Sequence, residues 1–291
     1  MGSVSPHENP KPLGKSGEEP KALEASRKRK TSPMKRWLRY THQHQVGFGT
    51  LDATGEKIEV YQGSLFGVCT PTGVVLQRNA VQLLTPFTPS KFIGLWNNYH
   101  ALAEKLGQAR PEQPLYFCKT PNSYLVPGGT IMPPAGYNGK VFYEGELGVV
   151  IGERCHDLSE ADAAEAIFGY TCINDVTAFD LIAEDASFPQ WARAKSCDTF
   201  GPFGPVVAQG LDWSTLSVRT LVNGRERQNY PVSDMILAPA RIVSLLSREM
   251  TLEPGDLIAC GTSLGALPMK PGTQVEVMIE PIGTLTNTYA T

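Results

Sequence analysis

Two glutamates two residues apart, Glu144 and Glu146, stand in the run Lys140-Val-Phe-Tyr-Glu144-Gly-Glu146-Leu-Gly-Val-Val-Ile151. The run reads as a β-strand, and residues two apart on a strand share a face. Both carboxylates then point one way, while Tyr143, Leu147 and Val149 point the other. Side-by-side carboxylates repel, and burying them is costly unless a cation lies between them. A hard divalent cation removes that cost, so Glu-x-Glu on a strand is a natural half-site for Mg²⁺ or Mn²⁺. A solvent-facing strand edge would carry the same pair. Phe168-Gly-Tyr-Thr-Cys-Ile-Asn174-Asp175 adds a third carboxylate, Asp175, at the end of an apolar strand, where binding sites gather. Read in isolation, the same Asn-Asp pair serves equally as a turn.

Three further groups have chemistry of their own. Lys195, in Trp191-Ala-Arg193-Ala-Lys195-Ser196, sits in mostly apolar, Gly- and Pro-rich company. Near a metal it would hold a substrate carboxylate, polarise a carbonyl or move a proton. On a surface it would only pack its stem on Trp191. Gly261 and Thr262 open a Gly/Thr/Ser loop after the apolar stretch Asp256–Cys260, able to offer backbone N–H groups and a hydroxyl to an anion. The loop lacks the lysine and the spacing of a phosphate loop. His100 and Glu104 lie four apart on an expected helix and so share a face. A His–Glu pair activates water when the carboxylate orients the imidazole, although most such pairs are ordinary polar neighbours.

The chain that must position these groups has 291 residues, 41% apolar and 19% charged, enough for a real core. No apolar run approaches the roughly 18 residues of a spanning helix. A net charge of −3 argues against nucleic acid as the main partner. Five histidines, at 7, 42, 44, 100 and 156, make a three-histidine zinc site an unpromising reading. Six cysteines, at 69, 118, 155, 172, 197 and 260, form no C-x-x-C pair and read as reduced, mostly buried thiols of a cytoplasmic protein. Residues 1–40 carry a balance of +6 and the remainder −9. We read 1–33 as a disordered basic tail containing Arg27-Lys28-Arg29-Lys30, 34–85 as a small N-terminal β region, and 86–291 as the main domain. Expected strands are Val46–Leu51, Lys57–Tyr61, Val74–Leu76 and Gln274–Ile279. Asn223-Gly224 predicts a two-residue hairpin turn between Ser217–Val222 and Arg225–Tyr230. Helices are expected over Leu95–Leu106, Ser159–Phe168 and Pro239–Met250. The sum is α+β with strands dominant.

Taken in order, Tyr143-Glu144-Gly-Glu146-Leu-Gly-Val-Val-Ile151, Asn174-Asp175-Val-Thr177, Arg193-Ala-Lys195-Ser196 and Gly255-Asp256 with Gly261-Thr262 resemble the fumarylacetoacetate hydrolase family. The resemblance covers roughly 85–291. It is nearest in look to members of the 2-hydroxyhepta-2,4-diene-1,7-dioate isomerase type, including Leu95-Trp-Asn-Asn-Tyr-His100-Ala-Leu. It implies a mixed β-roll, a homodimer, and one Mg²⁺ or Mn²⁺ per subunit held by Glu144, Glu146 and Asp175. Lys195 matches the active-site lysine, and Thr262 the position that contacts a substrate carboxylate. Two departures matter. Many members carry Asn-Tyr-x-x-His-x-x-Glu, whereas here His100 directly follows Tyr99. Many also carry Ala-Arg-Asp where Ala178-Phe179-Asp180 stands, which points to a less anionic or more apolar substrate. Gly265-Ala-Leu267 replaces a common Gly-Val-Gly.

The expected activity is that of a divalent-metal-dependent enzyme of aromatic compound catabolism. It would act on an unsaturated 2-oxo dicarboxylate through a metal-stabilised enolate, with isomerisation or decarboxylation as the outcome. The displaced histidine ranks acylpyruvate-type C–C hydrolysis second, and a non-catalytic metal-binding role stands third.

Overall fold

The computed structural model describes residues 33–291, so the basic run Arg27–Lys30 and nearly all of the 1–33 tail lie outside the described residues. Strands dominate, as expected, and they form two large sheets. The order along the central sheet is Cys69–Gln77, Lys57–Gly63, Gln45–Leu51, Lys35–His42, Gly201–Gln209, Ile167–Asn174, Gly145–Ile151, Leu257–Ala259, Phe92–Trp96 and Leu115–Lys119. Every pairing on this path is antiparallel except Leu257–Ala259 with Phe92–Trp96. The second sheet runs Arg225–Pro231, Ser217–Val222, Gln274–Ile279, Gly283–Tyr289 and Thr130–Ile131.

The two sheets pack face to face. Gly283–Tyr289 lies against Gly201–Gln209 and Ile167–Asn174, and Ser217–Val222 lies against Gly145–Ile151. Gly145–Ile151 therefore has no wet face, and all seven of its residues are buried. That is why it reads as a nearly continuous apolar run broken by one charge, Glu146.

Local signals hold where local chemistry decides. Asn223 and Gly224 both take positive φ, 50° and 73°, as a tight hairpin requires. Ser159 caps Glu160–Ala166 by accepting the Asp162 N–H at 3.2 Å. That helix packs on Pro239–Glu249.

Four expectations need correction. The helix expected from Leu95 starts at His100, because Leu95 and Trp96 complete a strand paired on both sides and Asn97 turns with φ 57°. The helix expected to reach Phe168 stops at Ala166, where Ile167 enters the central sheet. The strand expected at Val74–Leu76 spans Cys69–Gln77, and Lys35–His42 is a strand with no expectation behind it. Finally, the run Lys140–Ile151 is not one strand. Val141–Phe142 pairs with Thr177–Ala178, the ladder breaks at Tyr143 and Glu144, and Gly145–Ile151 resumes in the central sheet.

Candidate metal centre

The break at Tyr143–Glu144 builds the site. Glu144 leaves the ladder and is pinned instead by Asn174, whose side-chain oxygen accepts the Glu144 N–H at 3.1 Å. The Glu144 carbonyl accepts the Asp175 N–H at 2.8 Å. These two bonds hold the Glu144 and Asp175 backbones side by side. Two residues on, Glu146 sits opposite Ile173 in regular register. One oxygen from each of Glu144, Glu146 and Asp175 lies within 4.8 Å of the others.

The second sheet braces this strand at Gly145. A Cβ there would fall 2.0 Å from Thr220 Oγ1, so only glycine permits the approach. The Gly145 N–H donates to Gln228 Oε1 at 2.9 Å, and its carbonyl accepts the Tyr230 hydroxyl and Thr262 Oγ1. Thr262 Oγ1 in turn accepts from Gln228 Nε2 at 2.9 Å. The Thr262 hydroxyl proton is thus committed to the strand. Gly261, at φ 89°, directs its N–H onto Glu146 Oε2 at 2.8 Å. Of the two residues expected to meet substrate, both touch the strand Gly145–Ile151, and the Gly261 amide holds its Glu146 carboxylate.

Lys195 is buried, not a surface lysine resting on Trp191. It ends the short helix Trp191–Lys195 and donates to both Glu144 oxygens, at 3.0 and 3.1 Å, and to Asp175 Oδ2 at 2.5 Å. Its Nζ lies 4.8 Å from the Phe117 ring centroid, and Phe117 stacks on Trp191. A second buried lysine, Lys119, donates to Asp175 Oδ1 at 2.5 Å and to the Val176 carbonyl at 3.2 Å.

Electrostatics follow from burial and charge. Burial drives Glu146 well above the usual carboxylate range, and the charges of Asp175 and Glu144 push it further. Burial also raises Glu144, against the pull of Lys195. Asp175 would rise by burial alone, but Lys119 and Lys195 hold it below its ordinary value. Burial would lower Lys195, yet Asp175, Glu144 and Glu146 raise it overall. Burial lowers Lys119 despite Asp175.

One feature of the cluster bears on a cation directly. Glu146 Oε1 is buried with no hydrogen-bond partner. An unpaired buried carboxylate oxygen is costly, and a cation among three carboxylates would satisfy it. The donors are all oxygen, which suits Mg²⁺ or Mn²⁺ over softer metals.

His100 and Glu104 are placed differently. His100 opens the helix His100–Leu106 with Nδ1 buried and unpartnered, and Glu104 is exposed. Among the described residues no hydrogen bond or ion pair joins the two. Phe179, where a positive charge was missed, is half exposed and packs on Phe142 at 4.9 Å. All six cysteines are free, with Cys155, Cys172 and Cys260 buried and Cys118 exposed. Sequence reasoning missed Lys119, Gln228, Tyr230 and the role of the Asn174 side chain.

Comparison with known proteins supplies the context. The family model described as fumarylacetoacetate (FAA) hydrolase C-terminal matches residues 91–290, and one described as Rv2993c-like, N-terminal matches 35–86. The oxaloacetate tautomerase YisK of Bacillus subtilis is 38% identical over 212 residues, covering 68% of this chain and 69% of that protein. Two solved structures superpose along 88% of the chain. One is a 2-hydroxyhepta-2,4-diene-1,7-dioate isomerase from Mycobacterium marinum, with TM-score 0.80, 37% identity and 98% of that chain covered. The other is a 5-carboxymethyl-2-hydroxymuconate delta-isomerase from Mycobacterium smegmatis, with TM-score 0.81, 38% identity and 99% covered. No helix among the described residues is long and apolar enough to cross a membrane.

Proposed function

Because the chain belongs to the fumarylacetoacetate hydrolase family, we propose that it is a divalent-metal-dependent enzyme acting on a 2-oxo acid or its enol, by isomerisation, decarboxylation or both. The observation that carries this reading is the convergence of Glu144, Glu146 and Asp175 with Lys195 on two of them. The names of similar proteins, an oxaloacetate tautomerase and two isomerases, support it.

Glu144, Glu146 and Asp175 would hold the Mg²⁺ or Mn²⁺. When bound, such a cation supplies Lewis-acid stabilisation to the oxygens of a chelating 2-oxo acid as a neighbouring carbon loses its proton or carboxylate. The protein does the rest. Gly261 fixes Glu146, and Asn174 fixes Glu144. Lys195 places a positive charge and a transferable proton at Nζ beside the carboxylates. The Phe117 and Trp191 rings keep water from one side of that ammonium.

C–C hydrolysis is the second reading, favoured by the unpartnered His100 Nδ1. Hydrolysis also needs an oriented base beside a water, and Glu104 does not orient His100. The proposal further takes, whichever reaction holds, 34–85 as a β region beside a catalytic domain over 86–291, and the working unit as a cytoplasmic homodimer.

The test is NMR of oxaloacetate and acetylpyruvate with metal-stripped protein, before and after Mg²⁺. We expect Mg²⁺-dependent enol–keto exchange or decarboxylation of oxaloacetate. Acetate and pyruvate from acetylpyruvate would instead support the hydrolase. Turnover that persists in metal-free Glu146→Ala protein would sink the metal-dependent reading.

A further inference from the structure

Lys119 ends an edge strand three places from Gly145–Ile151 in the central sheet, yet its ammonium reaches the acidic cluster. Lysine is among the residues least often buried outright, and the Lys119 side chain is 0% exposed. Asp175 is its one ion-pair partner among the described residues, and the Val176 carbonyl takes a second N–H. Removing a buried ammonium from water is repaid only by close, well-aligned partners. A lysine used merely to fill space would be replaced without loss by an apolar side chain.

Two consequences follow from where the ammonium sits. It occupies Asp175 Oδ1, while Oδ2 turns to Lys195. Asp175 is therefore held at both oxygens, Oδ1 by Lys119 and Oδ2 by Lys195. The second consequence is charge. Three carboxylates with Lys119 and Lys195 leave one net negative charge. A divalent cation turns that into one net positive charge. Without Lys119 the loaded centre would be neutral, and in a buried site a unit of charge weighs heavily on an entering anion.

We propose that Lys119 is a positioning residue that clamps Asp175 and sets the loaded centre at a net positive charge, so that the site favours anions chelating through adjacent oxygens. The proposal rests on the metal-centre reading above.

The test uses the full chain as wild type, Lys119→Met and Lys119→Arg. Mn²⁺ is titrated by calorimetry and by water-proton relaxation. Oxalate, a small anion with adjacent carboxylate oxygens, is then titrated into the Mn²⁺-saturated proteins. Lys119→Met binds Mn²⁺ no more weakly than wild type, because a repelling cation has gone, while oxalate weakens by about tenfold or more. Lys119→Arg keeps the charge and holds oxalate within about threefold of wild type. If circular dichroism shows Lys119→Met unfolded, Lys119→Gln, which retains a donor without the charge, must show the same split. Unchanged oxalate affinity in the neutral variant overturns the proposal. So does a parallel loss of Mn²⁺ and oxalate in all variants, which marks a packing role. A wild-type protein that binds no Mn²⁺ overturns the metal-centre reading and this proposal with it.

Discussion

Glu146 is fully buried, with one oxygen on the Gly261 amide and the other unpartnered, whereas Glu104 stands in solvent on the helix His100–Leu106. The two are the same residue type, each in a helical or extended segment that offers it a neighbour. What separates them is the protein around them. Glu146 is enclosed by two sheets, and its neighbours Glu144 and Asp175 are held by backbone bonds that leave no room to swing apart. Glu104 has nothing to hold it toward His100. A carboxylate gains unusual chemistry when the fold removes its water and only partly replaces it. Shared spacing on a helix face supplies proximity and nothing more.

The largest expected effect attacks the enclosed side of this contrast. Glu146→Ala should lower kcat/KM by about 10³-fold or more, since it removes a group on which the whole cluster depends. Steady-state kinetics on whichever substrate the NMR experiment identifies will show it. A larger loss in His100→Ala than in Glu146→Ala would reverse the comparison.

Gly261→Ala probes the support of Glu146. A Cβ there meets Asn98 Cβ and the Leu95 carbonyl at 3.3 Å, and φ is positive at 89°. We expect a destabilisation of about 1–3 kcal/mol in urea unfolding, together with weaker Mn²⁺ binding. Unchanged Mn²⁺ affinity would mean the Gly261 amide is not what holds Glu146.

On the open side, His100→Ala should cost about tenfold or less in kcat, and Glu104→Ala should leave stability within about 0.5 kcal/mol of wild type. A loss beyond 100-fold in both would restore them as a working dyad and promote hydrolysis. The smallest effect concerns thiols. Burial pushes Cys172 up to about 12 and Cys260 higher still. In the native protein at pH 8 both should resist alkylation, which needs the thiolate, while exposed Cys118 reacts. Mass spectrometry after labelling distinguishes them. Prompt labelling of Cys260, next to Gly261, would show that the centre is less enclosed than its geometry implies.

Type and spacing put forward Glu144 with Glu146, Asp175 at a strand end and Lys195 in apolar company only as candidates beside ordinary structural readings, and the resemblance of the motifs taken in order joined them into one site. The Asn223-Gly224 turn was readable outright, because a two-residue hairpin is decided within a few residues. The same kind of reasoning overextended the helix into Leu95–Trp96, where pairing with Tyr116 and Leu115 outweighs local pattern.

Tertiary structure alone decided the rest. Nothing in Tyr116-Phe-Cys-Lys119-Thr-Pro121 marks Lys119, because its partner lies 56 residues away, just past the end of the strand Ile167–Asn174. Gln228 and Tyr230 read as one face of an ordinary hairpin until the second sheet closes on Gly145. The interruption at Tyr143–Glu144 depends on bonds from Asn174 and Asp175, not on any breaker in its own run. Sequence determined which groups were available. The packing of two sheets determined which of them lost water, and that loss, being a property of neighbours distant along the chain, has no local signature.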